Sequence, residues 1–298
     1  MSAQQALPKD QPASDLAQWQ AVLAGFHEEF EFQLMRALKD GGSKPIHKAR
    51  VNGRKLLTLL KLLDPDNRTG LAAYYRKGMK RLGKVRDADV LIDAFEERRK
   101  RQKKAGHKKQ ARLLKAVVRM QRKKRKTFRA RLAKEMRDFP ETEEHSRWER
   151  WLKEDLEELL DKVQADRVMV KLQEAYEQKK RVYREQCREA GMESAEAFDA
   201  LHDLRIAAKE IRYIAASASF ALDGKFQRWE KRFQGIQDEL GAINDRRVWL
   251  ETVERLRPER LSARTKTWNR FRKKLRKEIR ALLLENRVVK VSLSSDGK

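Results

Sequence analysis

The chain has 298 residues, a formal net charge of +26 and a sequence pI near 10.2, with 39% of its residues charged and 40% hydrophobic. No run of about 18 apolar residues exists, which excludes a membrane-spanning helix, and the single cysteine, Cys187, excludes a disulfide framework within the chain. A positive excess this large points to phosphate-bearing polymers and anionic membranes as partners; the polar start has no apolar signal core, so the expected compartment is the cytoplasm.

Residues 1–14, with Pro8 and Pro12 among small polar residues, are expected to be disordered. Helical spacing then begins, with Leu16, Trp19, Phe26, Phe30, Leu34 and Leu38 at three- and four-residue steps. Asp40-Gly41-Gly42 stops that helix, and Ser43 with Pro45 opens a second that runs to about Leu63. A third helix is predicted over about 69–84. Asp87 reads as the N-cap of a fourth that passes Phe95, in preference to a general base or magnesium ligand. Gly106 marks a break, and a long helix follows over 108–137. Residues 98–137 carry twenty Lys or Arg and one acid, Glu135. The sign flips after Asp138-Phe139-Pro140, and an acidic connecting helix is expected over 141–163.

The second half repeats the plan. Helices are predicted over about 166–190, ending at Gly191, then 199–222, 226–240, 245–256 and, beyond Pro258, a last helix carrying Trp268, Phe271, Leu275 and Ile279. Asp245 again reads as an N-cap, and Gly83 and Gly241 as turn or close-packing residues. Residues 291–298 are an expected disordered tail. No useful length of sequence alternates in the manner of a strand.

Two pairs of segments match. His47-Lys48-Ala49-Arg50-Val51-Asn52-Gly53-Arg54 is similar to His202-Asp203-Leu204-Arg205-Ile206-Ala207-Ala208-Lys209, and Leu82-Gly83 through Val90 is similar to Leu240-Gly241 through Val248. The displacements, 155 and 158 residues, differ by three. Ordered agreement over that span points to an internal duplication, a first half of 15–138 and a second of 166–290, folded as two helical bundles related by a pseudo-two-fold axis.

Positions i, i+3 and i+7 share one helix face. His47, Arg50 and Arg54 therefore form one row, with Leu57 next along it, and His202, Arg205, Lys209 and Arg212 form another. Val51, Leu56, Leu59, Leu60, Leu201, Ile206, Ile211 and Ile214 are expected on the core sides. Rows of like charge are unfavourable unless an anion sits between them. Arg forks pair with phosphate oxygens in bidentate fashion, and a phosphate beside histidine favours imidazolium, strengthening binding as pH falls.

In these motifs the chain resembles the conserved-histidine α-helical domain (CHAD) family. The wording from His202 to Tyr213 is especially similar to that family's second-half motif, and the resemblance covers about residues 16–288. It implies an all-α fold, two antiparallel four-helix bundles around a basic central cavity, and non-catalytic binding of inorganic polyphosphate, with association to granules of that polymer as a corollary. Carried over by position, the ligand contacts are His47, Arg50, Arg54, His202, Arg205, Lys209 and Arg212. No cofactor and no metal are implied.

Arg112, Arg119 and Arg122 on the long basic helix, and Arg270, Lys273, Lys274 and Lys277 on the last, are expected near the cavity mouth and complete the predicted polyphosphate set. The alternative partner is nucleic acid, bound without sequence preference by the same basic helices, although no recognised DNA- or RNA-binding motif is present. A metal site of His47 and His202 is disfavoured, because ligands need neutral imidazole and nearby carboxylates, whereas these sit among cations. His27, His107 and His145 read as ordinary helix or linker residues, Cys187 as a small filler, and Trp148, Trp151, Trp229, Trp249 and Trp268 as core.

Overall fold

The computed structural model describes residues 12–137, 143–261 and 263–288. The expected tail, residues 1–11 of the expected disordered start and the Asp138–Pro140 sign switch lie outside these, as does the side chain of His145. The described residues are helical with no strand. Eleven α-helices follow in order: α1 (Pro12–Asp40), α2 (Ser43–Leu63), α3 (Leu71–Lys104), α4 (Lys108–Met136), α5 (Glu143–Arg150), α6 (Leu156–Lys162), α7 (Ala165–Glu189), α8 (Ala195–Ser217), α9 (Gly224–Gln227), α10 (Trp229–Arg255) and α11 (Thr265–Glu285). A π-helical turn, Trp151–Asp155, joins α5 to α6. Because α1 starts at Pro12, residues 12–14 belong to a helix and not to a disordered start. Proline suits a first helical turn, where its missing N–H costs nothing.

Local chemistry explains most boundaries. Gly41 (φ +60°) closes α1 in the left-handed conformation, its N–H donating to Ala37 O at 2.9 Å. Gly106 and Gly191 take positive φ at the ends of α3 and α7. Ser194 accepts from Ala197 N at 3.0 Å and caps α8, so this helix starts four residues before the predicted Asp199.

The third and fourth predicted helices are one helix, α3, and 226–240 and 245–256 lie in one helix, α10, apart from the short α9 turn. Gly83 and Gly241 are therefore not turns, and Asp87 and Asp245 are not N-caps. A glycine inside a helix costs about 1 kcal/mol relative to alanine. Leu82, Val85, Leu240 and Ile243 are buried beside these two. Each fully buried leucine or isoleucine contributes about 1.5–3 kcal/mol, enough to carry the helix through.

The chain divides into two compact units, Met1–Met79 with Met136–Gln164, and Lys80–Glu135 with Ala165–Lys298. These cut across the two sequence halves. In the first unit α1 and α2 pack with the start of α3 and with α5, the π turn and α6. Phe30, Leu34, Ile46, Leu56, Leu59, Tyr75, Trp148 and Trp151 are buried. A Cβ on Gly53 would lie 2.7 Å from Met79 Sδ and 2.9 Å from the Phe30 ring, so α2 approaches α1 and α3 as only glycine permits. His27 is also core. It is buried, shares a 2.6 Å hydrogen bond with the Tyr75 hydroxyl and stacks on Trp148 at 4.5 Å.

In the second unit the latter part of α3 joins α4, α10 and α11 around Leu91, Phe95, Leu113, Leu114, Val117, Val118, Val253, Phe271 and Leu275. Alongside, α7 and α8 bury Met169, Tyr176, Tyr183, Leu204 and Ile211, with Phe233 of α10 set edge-on to Tyr176 at 5.2 Å. Burial pushes the Tyr176 phenol up to about 12, and burial also raises Cys187, a half-buried thiol on α7, against an opposing hydrogen bond with Tyr183. Trp229, Trp249 and Trp268 are half-buried, so only Trp148 and Trp151 of the five predicted core tryptophans are fully inside.

Candidate functional site: the cationic face of α8

The α8 helix has two chemically distinct sides. Leu201, Leu204, Ala208, Ile211 and Ala215 are buried against neighbouring helices. His202, Arg205, Lys209 and Arg212 follow one another along the other side. His202 is exposed, and the three cations below it are half-buried. Ile206 departs from expectation: at 48% exposure it lies outside the core, one turn beyond His202. Its repeat mate, Val51, is only half-buried. The β-branched position of the motif thus flanks the cationic row instead of opposing it.

The packing of α10 against α8 sets the electrostatics. His202 and Arg205 line a hollow of about 10 Å³, room for about one water molecule, with Phe198, Leu201, Leu240, Ile243, Asn244 and Arg247. Arg247 is committed to structure, bonding Asp199 at 3.0 Å and Glu251 at 2.9 Å while lying 5.2 Å from the Phe198 ring centroid. Asp245 faces the row. Burial lifts its carboxyl above the ordinary range, and attraction to Arg205, Arg246 and Lys209 opposes the rise. Lower on α8, Arg212 donates to Gln234 Oε1 and lies 4.5 Å from the Tyr213 ring centroid. Gln234 in turn donates to Asp238 at 2.7 Å. A neutral amide thus separates Arg212 from this carboxylate, and Arg212 Nε is buried without a protein acceptor.

The α2 row belongs to the first compact unit and the α8 row to the second. On α2, His47 is exposed and Arg50 and Arg54 are half-buried. Arg50 Nη1 donates to Met79 O at 3.2 Å, which ties that guanidinium to the start of α3. The remaining predicted contacts, Arg112, Arg119 and Arg122 on α4 and Arg270, Lys273, Lys274 and Lys277 on α11, are all exposed. Sequence reasoning missed Asp245 as a counter-charge, because the sequence placed it at a helix start. Its spacing one and two residues before Arg246 and Arg247 was the available signal. Among the described residues no group of three or more His, Cys, Asp or Glu side chains could hold a metal ion, and no helix is long and apolar enough to cross a membrane.

The family model of the CHAD domain matches residues 20–254. The chain belongs to the CHAD family. The crystal structure of the CHAD domain from the plant Ricinus communis superposes on this CHAD domain with a TM-score of 0.60, covering 95% of this chain and 96% of that one at 20% identity. That likeness speaks for the fold. No curated protein sequence matches the chain. The family match ends before α11, so the cations of that helix lie outside it.

Proposed function

We propose that this CHAD domain binds inorganic polyphosphate, or a closely similar linear polyanion, without catalysing its cleavage. The observation that carries the proposal is the α8 row. His202, Arg205, Lys209 and Arg212 are fixed on one face by a buried opposite face, with Asp245 as an internal counter-charge and an unmet donor on Arg212. Such a row suits a ligand that presents repeated oxyanions along a line. Arginine forks grip it, and lysine and histidine add compact charge. The CHAD resemblance adds His47, Arg50 and Arg54 of α2 as polyphosphate contacts of their own unit, and a cytoplasmic place at polyphosphate granules. Displacement of labelled DNA near physiological salt tests this proposal. Polyphosphate should displace it at far lower phosphate concentration than unlabelled DNA does. Release of orthophosphate on adding magnesium or manganese would replace the binding role with an enzymatic one.

A specific observation favours nucleic acid as the second reading. Lys108, Arg112, Lys115, Arg119, Arg122 and Lys126 are all exposed and lie at three- and four-residue steps on α4. Two ion pairs of α4, Arg125 to Asp89 and Glu135 to Arg81, use other residues of the helix. A stripe of this kind binds any phosphate backbone, with a steep salt dependence. Equal displacement by polyphosphate and DNA in the same assay supports it.

A further inference from the structure

Away from the α8 row, Trp249 of α10 is half-buried beside two guanidinium groups. Arg98 of α3 stands 5.1 Å from its ring centroid and Arg246 of α10 stands 4.7 Å from it. Arg98 is also 5.8 Å from the ring of Phe271 on α11, and its Nη2 donates to the carboxylate of Glu278 on the same helix. The side chains of Arg98 and Glu278 are 17% and 26% exposed, so the cluster sits at the edge of the core, open on one side. The three helices are clamped by the apolar cluster of Phe95, Val253, Phe271 and Leu275, which fixes the guanidiniums before any ligand arrives.

The charges do not balance. Glu278 meets Arg98. Arg246 has no carboxylate within ion-pair reach among the described residues, although Asp245 next to it is attracted at longer range and is shared with Arg205 and Lys209. Arg98 Nη1 and Arg246 Nε are both buried with no protein acceptor. Burial pushes the Arg98 guanidinium down. Glu278 opposes that, and repulsion from Arg246 and Arg101 adds to it. Two half-buried cations on an aromatic platform, with a carboxylate paired to Arg98 alone, are costly by themselves. Stacking on an aromatic face leaves the N–H edge of a guanidinium free, and that edge is the part that recognises an oxyanion.

We infer that Arg98 and Arg246, seated on Trp249, form a binding site for a single phosphoryl group, supplied by free orthophosphate or by the end of a longer phosphate chain. Glu278 holds Arg98 in place. The site shares the attraction of Asp245 with the α8 row but uses none of that row's cations, so it is tested by its own variants.

The test is thermal unfolding of the full chain in phosphate against chloride of matched ionic strength, with tripolyphosphate as a third arm. Arg246→Gln is the informative variant, because it breaks no ion pair among the described residues, although Asp245 loses one attracting cation. This variant should lose more than half of the wild-type rise in melting temperature caused by the phosphate ligand. Arg98→Gln with Glu278→Gln should lose the same rise. Lys123→Ala with Lys124→Ala, exposed on α4, should keep it. A rise with orthophosphate that Arg246→Gln removes identifies the free ion as the source, and such a rise with tripolyphosphate alone identifies a chain end. Should Arg246→Gln keep the full rise, or should neither ligand raise the melting temperature of wild type, the two arginines are a structural clamp and the inference is overturned.

Discussion

Replacing Arg205 and Lys209 together with alanine removes the centre of the α8 row. Both are half-buried and held on one face by the buried Leu204, Ala208 and Ile211. A charge-assisted hydrogen bond contributes about 1.5–3 kcal/mol; taking the lower figure for half-exposed groups, the pair is worth about 3 kcal/mol, or about a hundredfold in affinity at 1.4 kcal/mol per decade. Each lost phosphate contact also lowers the slope of log affinity against log salt by about 0.7, so the pair should flatten it by about 1.4. The structure adds one complication. Asp245 loses two attracting cations and keeps its burial, which destabilises the fold at neutral pH. The comparison is therefore repeated with Asp245→Asn included. Titration of labelled polyphosphate by fluorescence anisotropy at several salt concentrations measures both quantities. Lys123→Ala with Lys124→Ala, exposed residues of α4, is the control and should cost about 1 kcal/mol or less. If the control pair weakens binding as much as the α8 pair does, the row is not the ligand site and the reasoning from its geometry fails.

Asp245→Asn alone should tighten polyphosphate binding by about two- to fivefold, since it removes a negative charge set among the cations. Because the folded carboxyl sits above its unfolded value, native stability falls as pH rises through the ordinary carboxylate range to the raised value. The asparagine variant should therefore melt higher than wild type at neutral pH, an advantage that vanishes in acid. Asp64 shows the opposite sign. Burial would raise it, but hydrogen bonds from Thr69 and Arg68 outweigh burial and hold it below the usual range. Its contribution is thus present above the unfolded value and lost as pH falls through the folded one. The carboxylate is 5% exposed and accepts from Arg68 N, Thr69 N and Thr69 Oγ1, so Asp64→Ala should cost about 2–3 kcal/mol in urea unfolding at pH 7, a gap that narrows towards pH 3. Gly53→Ala gains about 1 kcal/mol of helix propensity but must displace the Phe30 ring and Met79 at a cost of about 1–3 kcal/mol; denaturant melts should show a net loss, and a larger one for Gly53→Val.

Helix ends that require a special backbone conformation were legible in the sequence. Asp40-Gly41, Gly106 and Gly191 each stop a helix at a left-handed glycine, a requirement that no neighbour alters. The α8 row was legible for a similar reason, since helical spacing alone puts His202, Arg205, Lys209 and Arg212 on one face. What failed depended on partners distant in sequence. Gly83 and Gly241 look like stops, but buried leucines around them keep the helix running. Ile206 looks like core, but it is exposed. The compact units mix residues of both sequence halves, because the end of α3 and α4 bury Leu91, Phe95 and Val117 with Phe271 of α11, a pairing no local pattern announces. Trp249 read as core for the same reason, since its neighbour Arg98 is 151 residues away in the chain.

A crystal structure of the chain with bound polyphosphate tests the central claim most directly. The account predicts successive phosphates within hydrogen-bonding distance of Arg205, Lys209 and Arg212 along α8, with His202 at one end. A polymer ordered only along the exposed stripe of α4, with the α8 row untouched, would contradict it.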